Sequence, residues 1–311
     1  MKRHTLVAIA IFTASLACGL RPARAQFGYR YGFSLNTGPN PDRCSDLQLR
    51  TSGRLARDTQ TFTVAKASAS PLEVSARDRS SLYVRGWDRP DYSIEVCKFA
   101  VASSQSAADS ELRAVSVNRT GARFTASGPS DSDARWHVAI FIHAPKDAAV
   151  TLDTSNGPVD ARDVNGKLTL HAVNGPLALE RCSGAIQAET VNGPISMSGG
   201  SGDVHLIASN GPISVRLADS AWSGAQLEAR TSNGPLSVVL PSGFTSGVRV
   251  ETSGHAPVSC AADACSGART EGSRFFPHTI QLNGSSDVIR LSTRNGPVSV
   301  RNAGTRRARV I

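Results

Sequence analysis

An all-β chain wound as a parallel β-solenoid, with flattened coils of about 18 residues and two short strands in each, is predicted by three observations. Asn-Gly-Pro followed by an aliphatic residue recurs at Asn156, Asn174, Asn192 and Asn210, at one constant interval, and again at Asn233 and Asn295. Asn165-Gly166, Ser183-Gly184 and Ser201-Gly202 stand half-way between, so the unit is nine residues and runs without a gap from 156 to 218. Within each unit apolar and polar residues alternate, the period of a strand with one buried face.

In chain order, residues 1–25 read as a signal peptide. Lys2-Arg3-His4, the mostly apolar run Leu6 to Ala17 and Ala23-Arg24-Ala25 supply its basic, hydrophobic and small-residue parts, with cleavage after Ala25. That apolar run falls short of the roughly 20 residues a membrane-spanning helix needs. Ser15-Leu16-Ala17-Cys18-Gly19 offers a minor alternative, a lipoprotein signal with Cys18 as anchor. Residues 26–58, with Phe27-Gly-Tyr-Arg-Tyr-Gly-Phe33, Pro39 and Pro41, read as a loose arm or cap. In 59–150 the pairs Phe62/Val64, Leu72/Val74, Leu82/Val84, Ile94/Val96, Val115/Val117, Val138/Ile140/Ile142 and Val150/Leu152 mark less regular strands. Residues 103–113 hold a weak helical period and are read as a loop.

The region 151–253 is the regular solenoid. Aligned on Asn or Ser, the fourth position reads Val159, Leu168, Leu177, Ile186, Ile195, Val204, Ile213 and the sixth Ala161, Leu170, Leu179, Ala188, Met197, Leu206, Val215. All are apolar and predicted inward. Asp160, Thr169, Gln187, Ser196 and Ser214 lie between them, with Arg162, Glu180, Glu189 and Arg216 after them. Asn-Gly or Ser-Gly supplies a residue with φ > 0 for each turn. Val164, Val173, Cys182 and Val191 precede successive turns, which places Cys182 inside. Proline follows glycine only at alternate turns, so two turns make one coil and like stacks on like. Asn156, Asn174, Asn192 and Asn210 are therefore expected to form a turn ladder. Residues 254–311 hold an irregular loop with Phe275-Phe276-Pro277, a final coil in which Asp287–Arg301 restates Asp203–Arg216, and a basic tail at Arg306, Arg307 and Arg309.

Two other repeats are excluded. A left-handed hexapeptide helix needs aliphatic anchors every six residues rather than nine. The calcium-binding nonapeptide roll matches only Gly199-Gly200-Ser201-Gly202-Asp203, and Val204 stands where a carboxylate ligand is required. Removing Cys18 with the signal leaves Cys44, Cys97, Cys182, Cys260 and Cys265. In an oxidising compartment Cys260–Cys265 and Cys44–Cys97 are the expected disulfides, and Cys182 a buried small hydrophobe.

Residues 1–25 carry four basic residues, so the remainder balances 30 Lys+Arg against 25 acids. That modest excess, without interleaved aromatics or a basic helix, argues against nucleic acid. The seven histidines are scattered, with no Ser/His/Asp order, His-Glu-x-x-His or phosphate-cradling loop. Stacking coil on coil sets His171 near Glu189 with His205 diagonal, and Arg162 beneath Glu180 as an exposed pair. No catalytic, cofactor-binding or metal residues are assigned, and no cofactor.

Leu82-Tyr-Val-Arg-Gly86-Trp87-Asp88 before Tyr92-Ser-Ile-Glu-Val96, Val138-Ala-Ile-Phe-Ile-His-Ala-Pro145 and the Asn-Gly-Pro coils resemble the bacterial "putative adhesin" family of β-strand-repeat proteins, over roughly residues 60–300. The resemblance implies an extracytoplasmic β-solenoid in the periplasm, cell envelope or medium. It brings no catalytic residues. The expected function is a non-enzymatic scaffold that binds a surface, polymer or protein. The alternatives are a carbohydrate-active β-helix enzyme, for which Asp88 and Asp91 are the candidate acids, or an envelope-stress signalling component.

Overall fold

The computed structural model describes residues 34–38, 40–130, 136–253, 256–271, 278–284, 287–304 and 309–310. The expected signal peptide and its cleavage point after Ala25 lie outside the described residues, as do Phe275-Phe276-Pro277 and Arg306-Arg307.

The described chain is all-β, and its strands form two ladders around one core. In the first ladder Val159–Arg162, Leu177–Glu180, Ile195–Ser198, Ile213–Arg216 and Leu236–Leu240 pair in parallel, each with the next. In the second, Ala149–Asn156, Lys167–Asn174, Ser183–Thr190, Ser201–Asn210 and Gln226–Asn233 do the same. Partners through Arg216 and Asn210 are one Asn-Gly-Pro interval apart, as in Val159↔Leu177↔Ile195↔Ile213 and Leu168↔Ile186↔Val204. The apolar columns read from the sequence thus stack on themselves, and every member from Val159 to Val215 is buried. At roughly 1.5–3 kcal/mol for each fully buried aliphatic side chain, these columns dominate cohesion.

Chain order fails at both ends of the ladders. The long strand Leu72–Trp87 serves both: Leu72 to Ala76 lies beside Ala149–Asn156, and Leu82 to Arg85 beside Val159–Arg162. On its upstream side Val159 therefore pairs with Leu82, from far upstream, and not with a residue of the nearer strand Trp136–Pro145. At the far end Ile289–Asn295 and Val298–Asn302 sit on Gln226–Asn233 and Leu236–Leu240, and Val248–Thr252 and Val258–Ala261 lie outside them. Antiparallel strands finish each ladder: Asp91–Ala102 with Arg54–Ala65, Ser116–Thr120 with Arg123–Ser127, His278–Leu282 with Arg269–Glu271. The sheet is therefore mixed and open. Closing rows of short or antiparallel strands cover parallel edges that would otherwise template aggregation.

Four readings need correction. Residues 34–58 are not loose. Ser34–Thr37 pairs with Leu47–Arg50, and Leu35 and Leu47 pack with Tyr83, Phe99 and Phe141 in a second, smaller core on the outer side of the first ladder. Cys44–Cys97 fastens this layer. Residues 105–114 form a helix, α1 (Gln105–Ala114), because Ser104 caps it by accepting from the Ala107 N–H and Ala108 is buried between Ala56 and Ala102. Glycine in the inner Asn-Gly-Pro turns is needed for close approach rather than for φ > 0. A Cβ on Gly175 would stand 1.9 Å from the Gly157 carbonyl oxygen. Gly175, Gly193, Gly211 and Gly234 have no positive φ; among the Asn-Gly-Pro turns it is confined to the outermost two, at Gly157 and Gly296, while in the other turn type Gly184, Gly202 and Gly224 adopt it. Only that second turn type points its preceding residue inward: Val164 and Cys182 are buried, whereas Val173 is half-buried and Val191 exposed.

Candidate functional site

The sequence-derived ladder residues occupy one corner. Asn174, Asn192 and Asn210 each donate Nδ2 to the Oδ1 of the asparagine one unit earlier, beginning at Asn156, and Asn233 and Asn295 extend the row. Beneath it Thr190, Thr231 and Thr293 are buried, and their hydroxyls donate to the carbonyls of Gly175, Gly211 and Gly234. The corner is thereby rigid and presents side-chain amides to solvent.

On the outer side of the first ladder, Arg162 does lie beneath Glu180, with Nη1 3.2 Å from Oε2. The pair is not an exposed one. Arg162 is buried because Asn40 reaches over it, and it also grips Asp160 through Nε at 3.0 Å and Nη2 at 3.2 Å. Arg85 donates to Asp160 at 2.7 Å and to the Pro41 carbonyl, and His143 Nε2 lies 3.0 Å from Asp42. This cluster fastens residues 40–42 to the sheet. Asp160 is spent on two guanidinium groups, which leaves it no open side for a substrate.

The second ladder has an open outer side, and its register sets two rows of polar groups across it. One runs Arg123, Glu73, Thr151, Thr169, Gln187, His205, Glu228 and Arg290. The other runs Thr125, Ser75, Asp153, His171, Glu189, Ile207 and Arg230. A cavity of about 550 Å³ opens at one end, lined by Glu73, Ser75, Arg123, Thr125, Thr151 and Asp153. Glu73 Oε2 accepts from Arg123 Nε at 2.7 Å. Asp153 accepts from Ser75 Oγ at 3.2 Å and lies 2.9 Å from His171 Nδ1. Further along, His205 sits between Glu228 at 3.1 Å and Asp203 at 3.2 Å. Sequence reasoning set His171 beside Glu189, as the register has it, but missed Glu73 and Asp153. Glu73 comes from a distant segment that only strand pairing brings in, while Asp153 lies one Asn-Gly-Pro interval before His171, a spacing that could have found it.

The order of groups limits the chemistry. In Ser75, Asp153 and His171 the carboxylate stands between hydroxyl and imidazole, whereas a nucleophilic triad needs the imidazole in the middle. Ser81 does reach a histidine, His137 Nε2, at 2.9 Å, but both are fully buried and inaccessible to substrate. Burial, with Arg79 nearby, pushes the His137 pKa down to about 3. Asp88 pairs with Lys146 at 3.0 Å, and Trp87 Nε1 donates to the Asp91 carbonyl at 2.8 Å, so this acid pair belongs to a turn. Among the described residues no group of three or more His, Cys, Asp or Glu could hold a metal ion. Cys260 and Cys265 are also disulfide-bonded. Cys182 is buried, and burial raises its thiol to about 11.

No protein-family model and no curated protein matches the chain. Among solved structures it is similar to a "putative cell adhesion protein" from Clostridium sporogenes (11% identity, 80% of this chain and 100% of that one, TM-score 0.33). A "putative adhesin" from Bacteroides fragilis gives 8% identity over 80% and 97% of the two chains, with a TM-score of 0.38. A "putative lipid binding protein" from Parabacteroides distasonis gives 8%, 81%, 96% and 0.26. At TM-scores below 0.4 and identities of 11% or less, such likeness assigns neither family nor function to this chain.

Proposed function

We propose that this chain is an extracytoplasmic β-solenoid binding protein without catalytic activity of its own, which presents the outer side of its second ladder to a ligand. The observation that carries this reading is the fixed array of Glu73, Asp153, His171 and Glu189 on adjacent parallel strands, each acid already bonded to a donor. Rigid arrays of this kind favour recognition, since the donors and acceptors are held in place before the ligand arrives. Two disulfides support an oxidising compartment. No helix among the described residues is long and apolar enough to cross a membrane.

The test sets purified protein against polysaccharides and peptidoglycan, with binding and product release measured in parallel. Binding without turnover is the expected result. Product release that disappears in Asp153→Asn or Asp88→Asn would overturn the reading in favour of a carbohydrate-active enzyme.

A further inference from the structure

The cavity beside Arg123 has a neighbour. A second hollow of about 340 Å³ is lined by Pro71, Glu73, Thr120, Ala122 and Arg123, so the two share the Glu73–Arg123 pair. In the first, Asp153 is followed on the next two strands by His171 and Glu189. Two hollows joined at one ion pair suit an elongated ligand whose units repeat, rather than one compact molecule.

The lining decides the ligand chemistry. Hydroxyls come from Ser75, Thr120, Thr125, Ser127 and Thr151, carboxylates from Glu73 and Asp153, and one guanidinium from Arg123. The largest apolar contributors are Pro71, Val74, Ala122 and Ala126, with no aromatic ring. An acyl chain or apolar peptide would gain little from such walls, because apolar ligands are held by buried apolar area. Two carboxylates against one guanidinium that already serves Glu73 disfavour phosphate, sulfate or uronate groups. Hydroxyls that both donate and accept, carboxylates that accept and a guanidinium that donates match the hydroxyl-rich edge of a sugar.

We propose that the paired hollows bind a segment of a linear glycan, neutral or amine-bearing, with Glu73 and Asp153 accepting from its hydroxyl or ammonium groups. This rests on the binding reading above and names its ligand class. A carboxylate accepting from a ligand contributes a charge-assisted hydrogen bond, whose loss typically weakens binding by about 10- to 100-fold.

The experiment is titration of the purified chain with four hexamers: cellohexaose, a glucosamine hexamer, a galacturonic acid hexamer and hexalysine. Cellohexaose and the glucosamine hexamer should bind, the galacturonate should not, and Glu73→Gln and Asp153→Asn should each weaken binding at least about tenfold. Thr125→Met, which narrows the first hollow without adding a charge, should weaken binding while the melting temperature stays unchanged. Ser237→Ala, on the first ladder, should bind as the parent does. Galacturonate binding as tightly as cellohexaose, hexalysine alone binding, or undiminished binding by the carboxylate variants would overturn the proposal. If no glycan binds and none is cleaved, this proposal falls while the wider binding reading stands; cleavage would sink that reading instead.

Discussion

Asn295 donates its side-chain amide to Asn233 at 2.9 Å across 62 residues of sequence. Six asparagines thus form one hydrogen-bonded row in which Asn192 both donates to Asn174 and accepts from Asn210, while Asn295 at the end only donates within the row. At about 1 kcal/mol for a net hydrogen bond, Asn192→Ala should cost about 2 kcal/mol and Asn295→Ala about half of that. Urea unfolding of the two variants checks the ratio, and equal losses would show that the row is not cooperative.

Val204 lies in a fully buried column between Ile186 and Leu227, whereas Ser214 lies on the outer side between Ser196 and Ser237. Val204→Asp would bury a carboxylate with no partner and should cost several kcal/mol, about 3 or more. Ser214→Asp should stay within about 0.5 kcal/mol of the parent. Thermal melts compare them directly, and matching midpoints would refute the register.

His137 is neutral in the folded protein to about pH 3, chiefly because burial disfavours its charge. An unfolded histidine titrates near 6.5. Between those values the unfolded chain binds the extra proton, so stability is fully present above about 6.5 and falls as the pH drops toward 3, by up to about 1.4 kcal/mol per pH unit. His137→Gln can keep the bond to Ser81 and should flatten that part of the curve. Unfolding free energies measured from pH 3 to 7 in both proteins would show the difference in slope.

Cys44–Cys97 closes a loop 53 residues long and Cys260–Cys265 one of only 5. The chain-entropy relation gives about 4 kcal/mol for the first and about 2 kcal/mol for the second. Paired serine replacements at 44 and 97 should therefore lower the denaturation midpoint about twice as far as those at 260 and 265. Cys182 should resist alkylation at neutral pH until the protein unfolds, since its thiol is buried and raised to about 11. Mass spectrometry after native and denatured labelling reads this out.

Local periodicity made the two central ladders legible, because each buried column is spelled by residues one Asn-Gly-Pro interval apart, such as Val159, Leu177, Ile195 and Ile213. It could not supply the pairing of Leu82 with Val159, which depends on how the long intervening segment returns. The helix at Gln105–Ala114 was hidden because Ala108 is its one buried residue, so its apolar stripe is faint; Ser104 was the available signal. Glu73 was out of reach for the same reason as Leu82, whereas Asp153 stands one Asn-Gly-Pro interval before His171 and the period was its available signal. Glu73 joins Asp153 only when Ser75 comes opposite Asp153. The burial of Arg162 likewise needed Asn40, from a segment whose prolines suggested only looseness.

The placement of Ile289–Asn302 between two earlier segments has a consequence for biosynthesis. Val248–Thr252 and Val258–Ala261 leave the ribosome before the strands that will separate them from Gln226–Leu240. Until then both segments present unpaired parallel edges that match each other in pattern, and the nascent chain can join them directly in a pairing the finished protein lacks. Pairing across such sequence distances carries a loop-closure cost before any contact rewards it. Correct assembly of that end is thus governed by how fast residues 289–302 compete for an edge their predecessors can reach first.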